Sequence, residues 1–149
     1  MMIIRSSIPK DTDAISSLSS QLGYPLPPGE VAPLQASLLQ LPDHRVFVAE
    51  DEEGRVRGWV HVFISRRLFV PPFAELGGIV VENTNRRSGI GSALLAKAEE
   101  WASEVGCLVF RIRTNTKRID ADLFYRDVGY KLSKTQSVYQ KNLPPERHA

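Results

Sequence analysis

The first third of the chain shows apolar patterns typical of one short strand followed by two helices. Residues 3–5 predict a strand, and apolar residues at helical spacing after Pro9 predict an amphipathic helix that ends at Gly23. A second short helix is predicted over residues 31–41, where apolar residues recur at helical spacing before Pro42. The chain therefore begins in the order strand, helix, helix.

Three β-rich runs follow. Residues 45–50 and 56–64 are joined by the turn sequence Asp51-Glu52-Glu53-Gly54, which predicts an antiparallel hairpin with a glycine-assisted turn. Residues 73–81 predict a further strand that is interrupted by Gly77-Gly78. Paired glycines inside a strand indicate a bulge, or a place where a ligand or another chain comes close to the backbone.

The second half of the chain alternates between helices and strands. A strongly helical run over residues 92–105 stops at Gly106, and the strand predicted over residues 108–113 is expected to run parallel to the one before the helix. Residues 119–128 predict another helix, and residues 130–141 alternate enough to predict one or two final strands. Parallel and antiparallel strands must share one sheet, so the pattern predicts a mixed α/β fold.

Length and composition fit one globular domain. The chain has 149 residues, of which 42% are hydrophobic and 24% charged, and this balance is enough to bury an ordinary core. We expect residues 1–143 to form the domain and residues 144–149 to form a flexible C-terminal tail. The net charge of +2 is dispersed among acidic residues, so binding to nucleic acid is not indicated.

The sequence shows neither a targeting segment nor a metal motif. The first twenty residues lack a continuous apolar stretch, so we expect no signal peptide, no membrane span and a cytoplasmic location. The three histidines, His44, His61 and His148, are too scattered to suggest a metal site. The single cysteine, Cys107, begins an apolar run and is more typical of a core residue than of a nucleophile.

The stretch with the clearest chemical signal is Arg86-Arg87-Ser88-Gly89-Ile90-Gly91, between a predicted strand and a predicted helix. Its two glycines allow the backbone to turn closely around a bulky group, and the following helix presents unpaired N–H groups and its positive dipole end. The two arginines add guanidinium groups suited to phosphate oxygens. A pyrophosphate site at a helix N-terminus explains the pattern, and a plain turn with solvated arginines explains it equally well.

Two better-known phosphate loops do not fit this stretch. A P-loop requires a lysine after its second glycine, and none stands there. A dinucleotide fingerprint requires a third small residue three places after the second glycine, where this chain has Leu94. The stretch instead resembles the Arg/Gln-x-x-Gly-x-Gly/Ala signature of the GNAT superfamily, the acetyl-CoA-dependent N-acetyltransferases. Arg86, Gly89 and Gly91 stand in its three signature positions.

A second motif downstream strengthens the resemblance. GNAT proteins commonly carry an asparagine followed by Ala-x-x-Phe/Leu-Tyr and then Gly-Phe/Tyr. The residues of this chain in those positions are Asn115, Ala121, Phe124, Tyr125, Gly129 and Tyr130. With two motifs in the right order, the resemblance covers the chain from about residue 3 to residue 143. Asp122 departs from close bacterial relatives, which often have histidine there, and the departure leaves the core chemistry untouched.

The resemblance implies a fold and a coenzyme site. It implies a GNAT-like mixed central sheet with helices on both faces, in which the fourth and fifth strands splay apart. The pantetheine arm of acetyl-CoA would lie in that gap, and the pyrophosphate would lie on the amides that begin the next helix. The cofactor-binding residues that the resemblance implies are Ile79, Val80, Val81, Arg86, Arg87, Ser88, Gly89, Ile90, Gly91, Ser92 and Asn115.

The resemblance also implies two catalytic residues. Tyr125 matches the family tyrosine that faces the coenzyme sulfur and is the proposed general acid for the leaving thiolate, although a packed helix tyrosine is the alternative. Glu75 stands in a strand segment where several members carry a glutamate that deprotonates the amine, directly or through water. A surface charge on an edge strand is the equally weighted alternative for Glu75. An oxyanion donor is expected among the backbone N–H groups near Gly77-Gly78.

The function implied is transfer of an acetyl group from acetyl-CoA to a primary amine, by direct attack in a ternary complex. A noncatalytic acyl-CoA-binding sensor is the alternative, because the same cradle would serve it. The amine acceptor could be a small amine, a sugar amine or a peptide amine, and a homodimer is allowed. The acceptor-specific regions of the family correspond to residues 24–30, 69–73 and 135–139, which contain no diagnostic cluster.

Overall fold

The computed structural model describes residues 2–21, 23, 25–82 and 88–146. Its contacts divide the chain into two compact units, Met1–Arg113 and Thr114–Ala149. The elements of the first unit are β1 (Ile3–Ser6), a 3-10 turn (Pro9–Asp11), α1 (Thr12–Gln21), α2 (Pro28–Leu39), β2 (His44–Glu50), β3 (Val56–Ser65), β4 (Phe73–Val81), α3 (Ile90–Glu104) and β5 (Phe110–Arg111). The second unit contains α4 (Ile119–Asp127).

The five strands form one mixed sheet in the order β1-β2-β3-β4-β5. The first four strands pair antiparallel, and β5 pairs parallel to β4, as expected for strands separated by a crossover helix. The β4–β5 ladder has only two residue pairs, Ala74 with Phe110 and Glu75 with Arg111. The remainder of β4, Leu76 to Val81, has no β5 partner, so the predicted splay between the fourth and fifth strands is confirmed.

Helices cover both faces of the sheet, as predicted. On one face, Val60 and Val62 of β3 are fully buried against α3, which contributes the buried Leu94 and Ala98 to the same apolar cluster. On the other face α1 and α2 contact β2 and β3. Because side chains alternate along a strand, Val48 of β2 is fully buried on this second face while its neighbour Ala49 joins the α3 cluster.

The glycine pair in β4 forms the predicted bulge. The pairing of β3 with β4 shifts by one residue where His61 pairs with Gly78 and Val62 pairs with Leu76, which leaves Gly77 as the extra residue. A Cβ at Gly77 would lie only 2.7 Å from His61 Cε1, and a Cβ at Gly78 would lie 2.9 Å from Trp59 Cη2. Side chains are therefore excluded from both positions, because two rings of β3 already fill the space.

The largest differences from the predicted boundaries are in the strand after α3 and at the start of α2. The strand predicted over residues 108–113 is reduced to Phe110–Arg111, because β4 turns away after its second pair with β5. The helix α2 starts at Pro28, earlier than the predicted residue 31, and proline at a first helical position has no N–H to leave unsatisfied.

The prediction of one or two final strands over residues 130–141 is wrong for this structure. Residues 130–146 contain neither helix nor strand, and Leu132 and Val138 are 67% and 87% exposed. Alternating apolar residues favour an extended backbone. A strand forms only when its N–H and C=O groups also make hydrogen bonds to a neighbouring strand.

Among residues 2–21, 23, 25–82 and 88–146, no helix combines the length and the apolar character needed to cross a bilayer.

Candidate active site

The first component of the candidate site is the half of β4 that β5 leaves unpaired. Ile79, Val80 and Val81 pair with β3 on one side, and no ladder with β5 uses their backbone groups on the other side. Val80 is buried, whereas Ile79 and Val81 are partly exposed. An unpaired strand edge inside a fold offers N–H and C=O groups to an extended ligand, in the same way as it would to another strand. These are the residues predicted to contact the pantetheine arm.

The second component is the N-terminus of α3. Gly89 precedes the helix with φ of 88° and ψ of 0°, a left-handed conformation that favours glycine. Among the described residues, apart from the two chain neighbours of Gly89, no heavy atom lies within 4 Å of a Cβ built there. The first intrahelical hydrogen bond runs from Ala93 N–H to the Gly89 carbonyl at 3.0 Å. The helix itself therefore provides no acceptor for the amides of Ile90, Gly91 and Ser92, and amides at such a helix start are suited to bind an anion.

Part of the predicted cradle lies outside the described residues. Arg86 and Arg87, predicted to contact the pyrophosphate, belong to residues 83–87, which the structure does not describe. Of the other predicted cradle residues, Ser88 and Ser92 are exposed, and Ile90 is buried beneath the start of α3. As far as residues 88–146 are concerned, the space beside Gly89 and the start of α3 match what a bulky pyrophosphate requires, so the described residues fit acetyl-CoA.

The third component is Glu75, on the face of the sheet covered by α1 and α2. It pairs with Phe63 of β3 and with Arg111 of β5, at the last rung before the two strands separate. Its carboxylate accepts a hydrogen bond from Arg113 Nε at 3.0 Å, and its side chain is only 12% exposed. Arg113, which follows β5 in the chain, is thus ion-paired with Glu75. Arg111 instead lies 4.2 Å from the centre of the Phe73 ring.

A pair of histidines on the same face was missed as a candidate from the sequence. His44 Nδ1 and His61 Nε2 are 2.9 Å apart. The ring of Phe63 stacks on His44 and lies tilted beside His61. A hydrogen bond at this distance needs one protonated and one unprotonated nitrogen, so the pair is compatible with neutral rings. Burial, and secondarily the charge of His44, lower the pKa of His61 from 6.5 to about 4.

The surroundings of this pair contain few charges. Asp43, next to His44 in the chain, accepts a hydrogen bond from Arg66 Nε at 2.8 Å. On β4, the one carboxylate facing the same side of the sheet is Glu75, which is paired with Arg113. His44 is therefore the titratable group in direct hydrogen-bond contact with His61.

The second unit carries Tyr125, predicted as the general acid. Its ring makes edge contacts with Phe124 at 5.3 Å and Tyr130 at 6.2 Å between centroids, and its carbonyl accepts a hydrogen bond from Tyr130 N–H at 2.9 Å. Burial raises the pKa of the Tyr125 phenol, and the positive charge of Arg118 opposes part of that change. A phenol that keeps its proton at neutral pH is suited to donate it to a thiolate.

Asn115, also in the second unit, lies in a turn before α4. Its side-chain oxygen accepts a hydrogen bond from Lys117 N–H at 3.0 Å, and its carbonyl accepts one from Arg118 N–H at 2.9 Å. This arrangement is an Asx turn, which holds the residue in place and occupies its carboxamide oxygen. Asn115 is exposed, so its amide nitrogen remains available to a ligand such as the predicted coenzyme arm.

Comparisons with known proteins agree on one family. The model of the acetyltransferase (GNAT) family matches residues 13–130. The aminoglycoside N(6')-acetyltransferase type 1 of Serratia marcescens is 27% identical over 111 residues, which cover 71% of this chain and 75% of that protein. The aminoalkylphosphonate N-acetyltransferase of Salmonella typhimurium (strain LT2) is 46% identical over 59 residues, 40% of this chain and 38% of the relative.

Solved structures share the fold. The aminoglycoside N-acetyltransferase AAC(6')-Iy, solved in complex with CoA, matches with a TM-score of 0.85 at 20% sequence identity, and the match covers 96% of each chain.

The lowered pKa of His61 predicts a pH dependence of stability. Between pH 6.5 and about 4 the unfolded chain protonates this histidine and the folded chain does not, so stability present above pH 6.5 is lost as the pH falls towards 4. Urea unfolding midpoints measured across this range should decline, and His61→Phe should decline less because Phe cannot take up the proton. Parallel curves for the two proteins would show that His61 titrates normally in the folded state.

Proposed function

The chain belongs to the acetyltransferase (GNAT) family, and from this premise we propose that it transfers an acetyl group from acetyl-CoA to a primary amine by direct attack in a ternary complex. The observation that carries the proposal is the unpaired half of β4 together with the open N-terminus of α3 in the same unit. A strand edge unpaired with β5 and a helix start that follows a left-handed glycine suit the two halves of an acyl-CoA molecule, the extended pantetheine arm and the pyrophosphate.

In this proposal the coenzyme is held largely by backbone groups. The amides of residues 87–92 bind the pyrophosphate, with Arg86 and Arg87 adding charge, and Ile79 to Val81 bind the arm. Asn115 adds a side-chain contact to the arm. Backbone donors in a fixed helix and strand are preorganised, so little ordering is needed when the coenzyme binds.

We propose Tyr125 as the acid that protonates the departing thiolate. Its hydroxyl keeps its proton because burial raises its pKa, and the packing of Phe124 and Tyr130 around its ring restricts its movement. The oxyanion that forms during attack would accept a hydrogen bond from a backbone N–H near the bulge at Gly77.

We propose Glu75 as the group that draws the proton from the attacking amine, directly or through water. Arg113 binds its Oε1 and no partner within the described residues binds its Oε2, so one oxygen stays available to an amine. An ammonium group must lose a proton before it can attack, and a carboxylate at the mouth of the splay is suited to take it. The alternative is that Glu75 serves only its ion pair with Arg113.

The acceptor is proposed to be a small amine. One relative of the family is named for aminoglycosides and another for aminoalkylphosphonates, both of which carry primary amines. The second candidate function is a noncatalytic acyl-CoA sensor, which needs the cradle and would not need the Tyr125 hydroxyl. We further propose that residues 1–143 act as one domain, since the matched structure spans nearly the whole chain.

Gly91→Val should weaken CoA binding by at least about tenfold, because a branched side chain would cover the amides at the start of α3. Isothermal titration calorimetry measures the effect directly. Ser103→Val, an exposed position near the other end of the same helix, is the matched control and should bind CoA as the wild type does. Unchanged CoA affinity in the Gly91 variant would rule out the proposed cradle.

Tyr125→Phe should lower kcat by roughly 10- to 1000-fold, because the variant keeps the packed ring and loses the proton donor. Affinity for CoA should stay the same. Turnover is followed by the thiol released from acetyl-CoA, under conditions where the chemical step limits the rate. If the variant turns over as fast as the wild type there, Tyr125 is a packing residue.

Glu75→Gln should lower activity near pH 7 and recover part of it as the pH rises, because free amine then becomes abundant without a base. The glutamine oxygen can still accept the Arg113 hydrogen bond, so the local structure should persist. Glu82→Gln, which removes a carboxylate bound to Arg57 beyond the far end of β4, should show the wild-type pH–rate profile. The same profile in Glu75→Gln would leave that residue a structural role only.

A further inference from the structure

The side chains of His61 and His44 lie over the β4 bulge at Gly77, and we call this arrangement the lock. At the bulge, His61 of β3 occupies the space that a side chain of Gly77 would need, and both His61 Nδ1 and Cε1 fall inside contact distance of a Cβ built there. His44 of β2 holds the ring through the 2.9 Å contact between its Nδ1 and His61 Nε2. Three adjacent strands are thereby linked at one point by two side chains.

The position of this lock coincides with the separation of the strands. The last rung of the β4–β5 ladder is Glu75 with Arg111, and the extra residue of the bulge is only two positions further along β4. A bulge increases the local twist of its strand and bends it. The geometry of the bulge therefore decides where β4 leaves β5, and how its later N–H and C=O groups are directed.

We propose that His61, held by His44, is a positioning residue for acetyl transfer: its ring maintains the β4 bulge, and the bulge places the backbone groups that meet the thioester. The inference rests on the proposed function, since it assigns those groups to acetyl-CoA. His61 acts through β4 in this account and need not exchange a proton with the substrate. Its lowered pKa agrees with a ring that remains neutral while it fills this role.

A double-mutant cycle between Gly77 and His61 tests the lock. Gly77→Ala places a methyl group where the ring lies, so it should lower kcat by about 10- to 100-fold in the wild-type background. In a His61→Ala background the methyl group meets empty space, and the same change should lower kcat by less than about threefold. His61→Ala alone should lower kcat about tenfold, because the bulge loses its support.

A second glycine provides the matched control for the cycle. A Cβ at Gly58 of β3 would lie 2.9 Å from the Val80 carbonyl oxygen and 3.1 Å from Leu94 Cδ1, on the other face of the sheet from His61. Gly58→Ala should therefore lower kcat by a similar factor whether residue 61 is histidine or alanine. If the effect on kcat depends on residue 61 for Gly77→Ala and not for Gly58→Ala, the cause is contact between the His61 ring and the bulge and not a general loss of stability.

Two further readouts separate positioning from packing and from proton transfer. Urea midpoints and CoA affinity, measured on each variant, show whether kcat falls in molecules that are folded and able to bind the coenzyme.

His61→Phe keeps a planar ring over Gly77 without an ionisable nitrogen, and it should retain more kcat than His61→Ala. His44→Ala frees the ring and should lower kcat less than loss of the ring itself.

The expected result is strong coupling in kcat, with CoA affinity changed by less than about threefold. Equal effects of Gly77→Ala in both backgrounds would overturn the inference. Coupling in urea midpoints without coupling in kcat would also overturn it, and so would equal kcat in His61→Phe and His61→Ala. If the wild type releases no thiol with any amine, the proposed function fails. The urea cycle then decides alone whether the ring holds the bulge.

Discussion

The rest of the structure depends on one extra residue in β4. Gly77 lengthens that strand against β3, and the lack of a side chain there admits the ring of His61. In a mixed sheet, two parallel neighbours normally continue to pair until one ends, and their backbone groups satisfy each other. Here the pairing with β5 stops at Glu75. Of the later residues of β4, Leu76 and Gly78 to Val81 pair only with β3, and Gly77 pairs with neither strand. The later part of β4 is left without a β5 partner because the ladder is interrupted at this point.

Other features of the first unit are arranged around the part of β4 that β5 leaves unpaired. The helix α3 buries Leu94 and Ala98 against one face of the sheet, which fixes the direction of its N-terminus. On the opposite face, which α1 and α2 contact elsewhere, lie Glu75 and the histidine pair. The proposed function thus assigns coenzyme binding and amine chemistry to parts of the same strand, one on each side of the bulge.

Local signals in the sequence predicted the features that depend on single residues. The glycine pair predicted the bulge, and the turn at Gly89 predicted the start of α3, because each conformation excludes most side chains. The prediction of final strands over residues 130–141 failed because strand pairing depends on residues that are distant in the sequence. The histidine pair was missed for a similar reason. A register shift between Ala49 and Glu50 moves β2 by one residue against β3, and simple counting from the hairpin turn would put His44 and His61 on opposite faces.

The central claim is that this fold catalyses acetyl transfer and does more than bind an acyl-CoA. The most direct measurement is release of free CoA thiol from acetyl-CoA by the wild-type protein, with a panel of aminoglycosides, aminoalkylphosphonates, simple alkylamines and peptide amines. The account predicts thiol release that depends on an amine and saturates with both substrates, with intersecting double-reciprocal lines as a ternary complex requires. Tight binding of CoA without amine-dependent release across the panel would contradict it and would favour the sensor.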